Sequence, residues 1–426
     1  MKIVIILAFS FVTSLVSFGQ NIDKIINAKE VERIETVLSS DRMQGRKTFT
    51  PYIDTAADFI AQEFKKSELK YFDDLKSYRQ PFAMIKAKLI SASGKMDGKE
   101  VDGNNIIAIA TDSVVNFTEK DGYAKIILDS SANLFKEVMS LISENKKFLV
   151  IVNQFHSKNF ARLRRFNRES FNHNAPLVFV LSDENPSTYH FEIHNEITSS
   201  PLANVVGVLP GKSRKNEYVI FSAHYDHLGV GKPDAKGDSI YNGANDDAAG
   251  TTAVIMLAKY FSKLNNNERT LVFVTFTAEE IGEFGSQYFA KQIDPDKAVA
   301  MFNIEMIGTD SKWGNNSAYI TGYERSDFGK ILQANLVGSD FKFEPDPYPK
   351  QNLFYRSDNA SLAALGVPAH TISTSKMDNE LNYHRQSDEI ETLDMNNMAQ
   401  IIKAIAISSQ SIISGKDTPT RVEKLK

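Results

Sequence analysis

A chain of 426 residues, 42% apolar and 24% charged, is long enough for one large core or a core with a smaller companion; this composition excludes a fibrous or wholly disordered protein. The formal net charge is −4 with no block of basic residues, so nothing favours nucleic acid or an anionic membrane as a partner. The absence of cysteine excludes disulfides, a thiol nucleophile and lipid attachment through cysteine.

Taken in order, the chain opens with Lys2 and the apolar run 3–16, followed by Ser17, Phe18 and Gly19. This reads as a secretory signal peptide over residues 1–19, with the mature chain starting at Gln20. The run is short for a bilayer span, so no stable membrane insertion is expected after cleavage, and the mature chain is expected to be periplasmic or secreted. Residues 22–38 carry Ile26, Val31, Ile34 and Val37 or Leu38 near helical spacing. A loop containing Gly45 and Arg46 follows, then a helix through Phe64 with Asp54 as its expected N-cap. From 85 to 200 the texture changes to short strand-like runs, NNIIAIA, YAKIILD, KFLVIVN and APLVFVL, with one helix over 132–144. This is expected to be a small inserted domain. Its His156, His173, His190 and His194 have no carboxylate cluster at metal spacing.

The core resumes at LANVVGVLPG and reaches its most informative stretch between Tyr218 and Gly285. Three segments there end in metal-type ligands. His224 and Asp226 follow the run 218–223, Asp246 and Asp247 open a helix over 248–264, and Glu279 and Glu280 follow the run 270–277. Apolar runs separated by a helix-period segment indicate βαβ units and a parallel sheet, whose ligands gather outside the carboxyl ends of the strands. Carboxylates converging there would repel one another unless a divalent cation intervened. Imidazole plus carboxylate without thiolate suits catalytic zinc. A carboxylate shared by two metals would explain the place of Asp246 between the other clusters. One carboxylate must stay free of metal to accept a proton, and the pair Glu279–Glu280 offers one of each role. His227 lies beside the motif, outside the expected ligand set.

Further along, AVAMFNIEMIG reads as a strand ending in Glu305, 326–336 as a helix, AHTIS as a last short strand, and 395–414 as a closing helix. His384 and Asp388 lie in the loop NYHRQSDE, and Asp388 is expected to stabilise it. There is no G-x-S-x-G elbow and no H-E-x-x-H helix, so serine hydrolase and single-helix zinc protease mechanisms do not fit.

The motifs HYDHLG, GDSIYNGANDDAAG, FTAEEIGEFGS, NIEMIG and NYHRQSDE, in that order, resemble the M28 family of zinc metallopeptidases. The resemblance covers roughly the second half of the chain. It implies two zinc ions per chain, with His224 a ligand of one, Glu280 a ligand of the other, Asp246 bridging both, and Glu305 and His384 as the remaining ligands. Glu305 stands where the family usually has aspartate. It further implies Glu279 as general base, Asp226 as the carboxylate that orients His224, Tyr383 as a donor to the oxyanion, and a cis peptide between Asp246 and Asp247. The implied activity is removal of N-terminal residues from peptides. A glutaminyl cyclase, a carboxypeptidase using Arg356 or Arg385, and a non-catalytic peptide-binding protein on the same scaffold are the alternatives.

The expected fold is therefore α/β: a three-layer sandwich with a central mixed, mostly parallel sheet flanked by helices, plus a small inserted α/β domain. The catalytic domain is expected over 20–84 and 201–415. The inserted domain would span 85–200 and resemble a reduced protease-associated domain, with a flexible tail over 416–426. No oligomeric state follows from the pattern.

Overall fold

The computed structural model describes residues 22–171 and 175–425. The expected signal peptide, the start at Gln20 and His173 lie outside the described residues. The chain divides into two compact units: one comprises the residues up to Pro81 and those from Ala203 onward, the other Phe82–Leu202.

In the first unit, the end of β1 (Tyr189–Leu209) is followed by β2 (Arg214–His224), β3 (Arg269–Phe276), β4 (Ala298–Ile304), β5 (Ser317–Ile320), β6 (Lys342–Pro345) and β7 (Ala369–Ser373). They lie in the order β6-β5-β7-β4-β2-β3-β1. The pairs β2–β3, β2–β4, β4–β7 and β5–β6 are parallel, while β1–β3 and β5–β7 are antiparallel. The sheet is mixed and mostly parallel. Every residue of β3 is buried, the pattern of a strand covered on both faces.

Alternate residues of the central strands feed two cores. Val219, Phe221, Phe273 and Phe302 face α1 (Ala28–Leu38), α2 (Pro51–Lys66) and α3 (Ala249–Leu264). Ile220, Val272, Val274 and Met301 face α4 (Phe284–Ala290), with α5 (Phe328–Ala334) preceding α6 (Asn359–Ala363) in the chain and α6 completing this second core. A closing helix α7 (Met395–Ser408) returns to the first face. Phe221 sits among Phe261, Phe273 and Phe302, with ring centroids 4.9–5.5 Å away. The helices and sheet make three layers.

Several boundaries differ from the sequence reading for local reasons. The 22–38 segment is interrupted by Asn27, whose side chain accepts from the Glu30 N–H and caps α1. The next helix starts at Pro51 with Thr50 at the N-cap, not at Asp54, because proline's fixed φ suits the first helical position. The tail expected to be flexible is held. Arg269 donates to the carbonyls of Ile412 and Asp417, Arg421 donates to the Ala298 carbonyl, and Val422 is buried.

The second unit has a four-stranded sheet ordered Ile106–Ile109, Leu177–Leu181, Phe148–Val152, Ala124–Leu128. The helix Leu134–Glu144 packs Leu134, Val138 and Leu141 against Val150 and Phe179. Its described histidines are engaged locally: His156 with the Asp129 carbonyl, His190 with Asn116 and His194 with Glu192. Among the described residues, no helix is long and apolar enough to cross a membrane.

Candidate metal centre

Three neighbouring parallel strands deliver the site. The register places His224 opposite Phe276 and Phe221 opposite Phe302, so β3, β2 and β4 end at nearly one level. His224 closes β2, Glu279 and Glu280 follow β3, and Glu305 follows β4. The turn before α3 brings Asp246 to the same place. Helix α3 can approach because residue 250 is glycine; a Cβ there would lie 2.1 Å from the Ile304 carbonyl oxygen. The Asp246–Asp247 peptide is cis.

The ligand-type atoms converge in two overlapping groups. His224, Asp246 and Glu305 offer atoms within 4.8 Å of one another, as do His227, Asp246 and Glu280. His384 joins the second group: its Nε2 is 3.2 Å from Asp246 Oδ2 and 3.1 Å from Glu280 Oε2. Ligands on a tetrahedral zinc with ~2.0 Å bonds stand roughly 3.3 Å apart, so these separations match.

Polar-group accounting points the same way. His224 Nδ1 lies 3.1 Å from the Asp226 carbonyl, which can only accept, so Nδ1 carries the proton. His224 Nε2 then faces Asp246 Oδ1 at 3.2 Å without forming a hydrogen bond. Asp246 Oδ2 and Glu305 Oε2 are also buried without hydrogen-bond partners. Acceptors turned toward one another in a dry site call for a cation between them. The electrostatics agree. Burial opposes protonation of His384, yet the close carboxylates of Asp246 and Glu280 push it up to about 10. Burial, followed by neighbouring carboxylates, drives Glu279, Glu305 and Asp247 above the usual carboxylate range. The residues present fit zinc.

Other side chains hold this arrangement. Asp226 does not reach His224 through its carboxylate, which is 3.8 Å from Nδ1. Its backbone carbonyl makes that contact, while the carboxylate accepts the backbone N–H groups of Glu279 at 3.1 Å and Glu280 at 3.4 Å. This corrects the expectation of a directly orienting carboxylate: Asp226 fixes the loop that carries both glutamates. Asp388, expected to stabilise its own loop, accepts the N–H groups of Asn245 and Asp246 at 2.8 and 3.0 Å and so holds the turn that carries Asp246. Tyr383 stacks on His384 with centroids 3.9 Å apart, and lines a cavity with Glu305, Arg356 and Ser357.

Two residues with large roles were not singled out for them. Asp247 accepts from the N–H groups of His224, Gly250 and Met306, tying β2, α3 and the end of β4 together. Its only sequence signal is its place beside Asp246. Arg46 is fully buried and donates to four carbonyls, those of Leu38, Tyr225, Asn242 and Gly243. The last three flank the His224 and Asp246 turns. The glycine-arginine pair in a loop was the available signal. Arg46→Met is expected to destabilise the fold by about 3 kcal/mol or more, because four buried acceptors lose their donor. Denaturant unfolding checks this; a loss below about 1 kcal/mol would show that water replaces the guanidinium.

Residues 204–408 match the model of peptidase family M28. The match covers just under half of the chain. The chain is 27% identical over 240 residues to leucine aminopeptidase 1 of Ajellomyces dermatitidis, covering 50% of this chain and 60% of that protein. It is 25% identical over 116 residues to aminopeptidase YwaD of Bacillus subtilis, covering 26% of this chain and 23% of that protein. The chain thus spans less than two thirds of the length of these relatives. Solved structures extend the likeness of fold. An aminopeptidase from Aneurinibacillus sp. strain AM-1 superposes with a TM-score of 0.54 at 17% identity, covering 96% of this chain and 97% of that one. The zinc aminopeptidase BSAP of Bacillus subtilis gives 0.55 at 15% identity, covering 94% and 99%. The matched segment runs from the end of β1 to the end of α7, so it contains every ligand-type residue named above.

Proposed function

We propose that this M28 protein is an exported zinc-dependent aminopeptidase that holds two ions and removes N-terminal residues from peptides. The observation that carries the reading is the position of Asp246. Its two oxygens face different histidines, Oδ1 toward His224 and Oδ2 toward His384. One ion would be held by His224, Asp246 and Glu305, the other by Asp246, Glu280 and His384. Zinc supplies Lewis acidity toward a carbonyl oxygen and toward water, lowering the water's pKa.

The chain's own groups divide the remaining work. Glu279 is the proton carrier: it accepts a proton from the attacking water and returns it to the leaving amine. The Asp226 carboxylate, by binding its backbone N–H, keeps Glu279 in place. The Tyr383 hydroxyl donates to the oxygen that gains charge in the transition state. The cavity beside Glu305, walled by Tyr319, Thr321, Ser357 and Thr371, receives the substrate's first side chain. Export rests on the pattern of residues 2–19.

The test is a panel of free, N-acetylated and C-amidated peptides incubated with the zinc-loaded chain. Free and C-amidated peptides are expected to lose their N-terminal residue, and N-acetylated ones to resist. Cleavage from the carboxyl end, or cyclisation of N-terminal glutamine without hydrolysis, would replace this reading with a carboxypeptidase or a cyclase.

A further inference from the structure

His227 is the one imidazole at the centre that the ligand set above leaves unused. It is fully buried, and its ring is clamped: a Cβ on Gly243 would stand 2.5 Å from ring carbons Cγ and Cδ2. Gly243 also has φ +57°, so glycine is favoured there on both counts. The backbone N–H of His227 donates to the carbonyl of Arg46. The ring position is thus set by the same network that sets the metal-side turns.

Its Nδ1 lies 2.7 Å from Glu280 Oε1 and 3.8 Å from Asp246 Oδ2. The first is the length of a charge-assisted hydrogen bond, and the second is beyond one. A carboxylate can only accept, so Nδ1 carries the proton. Nε2 is buried with no hydrogen-bond partner. A protonated Nδ1 has no lone pair for a metal. Meanwhile the other oxygen of Glu280, Oε2, faces His384 at 3.1 Å. The two oxygens of this carboxylate are therefore divided, one for His227 and one for the corner where His384 and Asp246 meet.

We propose that His227 is a positioning residue that holds Glu280 by Oε1, so that Glu280 presents Oε2 alone to the ion on the His384 side. The affinity of that one site then depends on a side chain that does not itself bind the metal. The inference rests on the two-ion reading above. Outer partners of this kind typically contribute 10- to 100-fold in metal affinity.

The experiment titrates zinc into the metal-free, full-length chain against a chromophoric chelator, for the unaltered protein, His227→Phe and His227→Asn. Phenylalanine fills the space without a donor. The asparagine amide places an N–H near the position of Nδ1. His227→Phe is expected to weaken one of the two sites about 10- to 100-fold and leave the other unchanged. His227→Asn is expected to restore it to within a few-fold. Equal affinity at both sites in His227→Phe would overturn the proposal. So would loss of the site in His227→Asn, since an amide replaces a donor but not an imidazole ligand; this variant decides the matter even if His227→Phe does not fold. If the unaltered chain binds fewer than two ions, the two-ion reading itself fails. Two normal sites with an indifferent His227 sink only this inference.

Discussion

Glu279→Gln is expected to lower kcat by at least about 10²-fold while both zinc ions remain bound. Glutamine keeps the shape of the side chain and loses the proton acceptor. The backbone of residue 279 stays anchored, because its N–H is held by Asp226 and not by its own carboxylate. Glu279 is set apart from its neighbour by its surroundings. Glu280 is hydrogen-bonded to His227 through one oxygen and faces His384 with the other, and these imidazoles hold its carboxyl low against burial and the charge of Asp246. Burial drives Glu279 well above the usual carboxylate range, with Glu305 and Asp358 adding to the effect against the opposing charge of His224. Steady-state kinetics with elemental analysis of the same sample checks the assignment. Near-normal turnover, or loss of zinc from Glu279→Gln, would show that the two roles are exchanged.

Asp246→Asn is expected to cost both ions together, leaving well under one zinc per chain, and to lower activity at least about 10²-fold. No other carboxylate is shared by both ligand groups. The substitution preserves the turn: Asp388 grips the backbone N–H groups of residues 245 and 246, and neither bond uses the Asp246 side chain. The variant should therefore melt as the metal-free unaltered chain does. Retention of one tightly held zinc would mean that the two groups are independent sites.

The parts of this protein legible in its sequence share a physical reason. The buried runs 219–223 and 270–276 are continuous because a parallel strand covered on both faces has no polar side, and the ligand-type residues stand where those runs stop. That ending placed His224, Glu279, Glu280 and Glu305 at one edge of the sheet. What was not legible depends on backbone groups and distant partners. The sequence shows Asp226 beside His224, but not that its carboxylate turns to the N–H groups 53 and 54 positions later. The burial of Arg46 depends on four carbonyls, which carry no sequence signature. The charged tail looked free because its lysines and acids suggested solvent. Its anchors are Val422 and carbonyls taken by Arg269 and Arg421. The division of the Glu280 oxygens between His227 and His384 follows from three turns meeting in space.

The zinc content of the unaltered chain, measured by elemental analysis after loading and removal of free metal, tests the account most directly. Two overlapping ligand groups joined through Asp246 predict two zinc ions per chain. At most one ion per chain would contradict the co-catalytic centre and move the protein toward a single-zinc acyl-transfer chemistry.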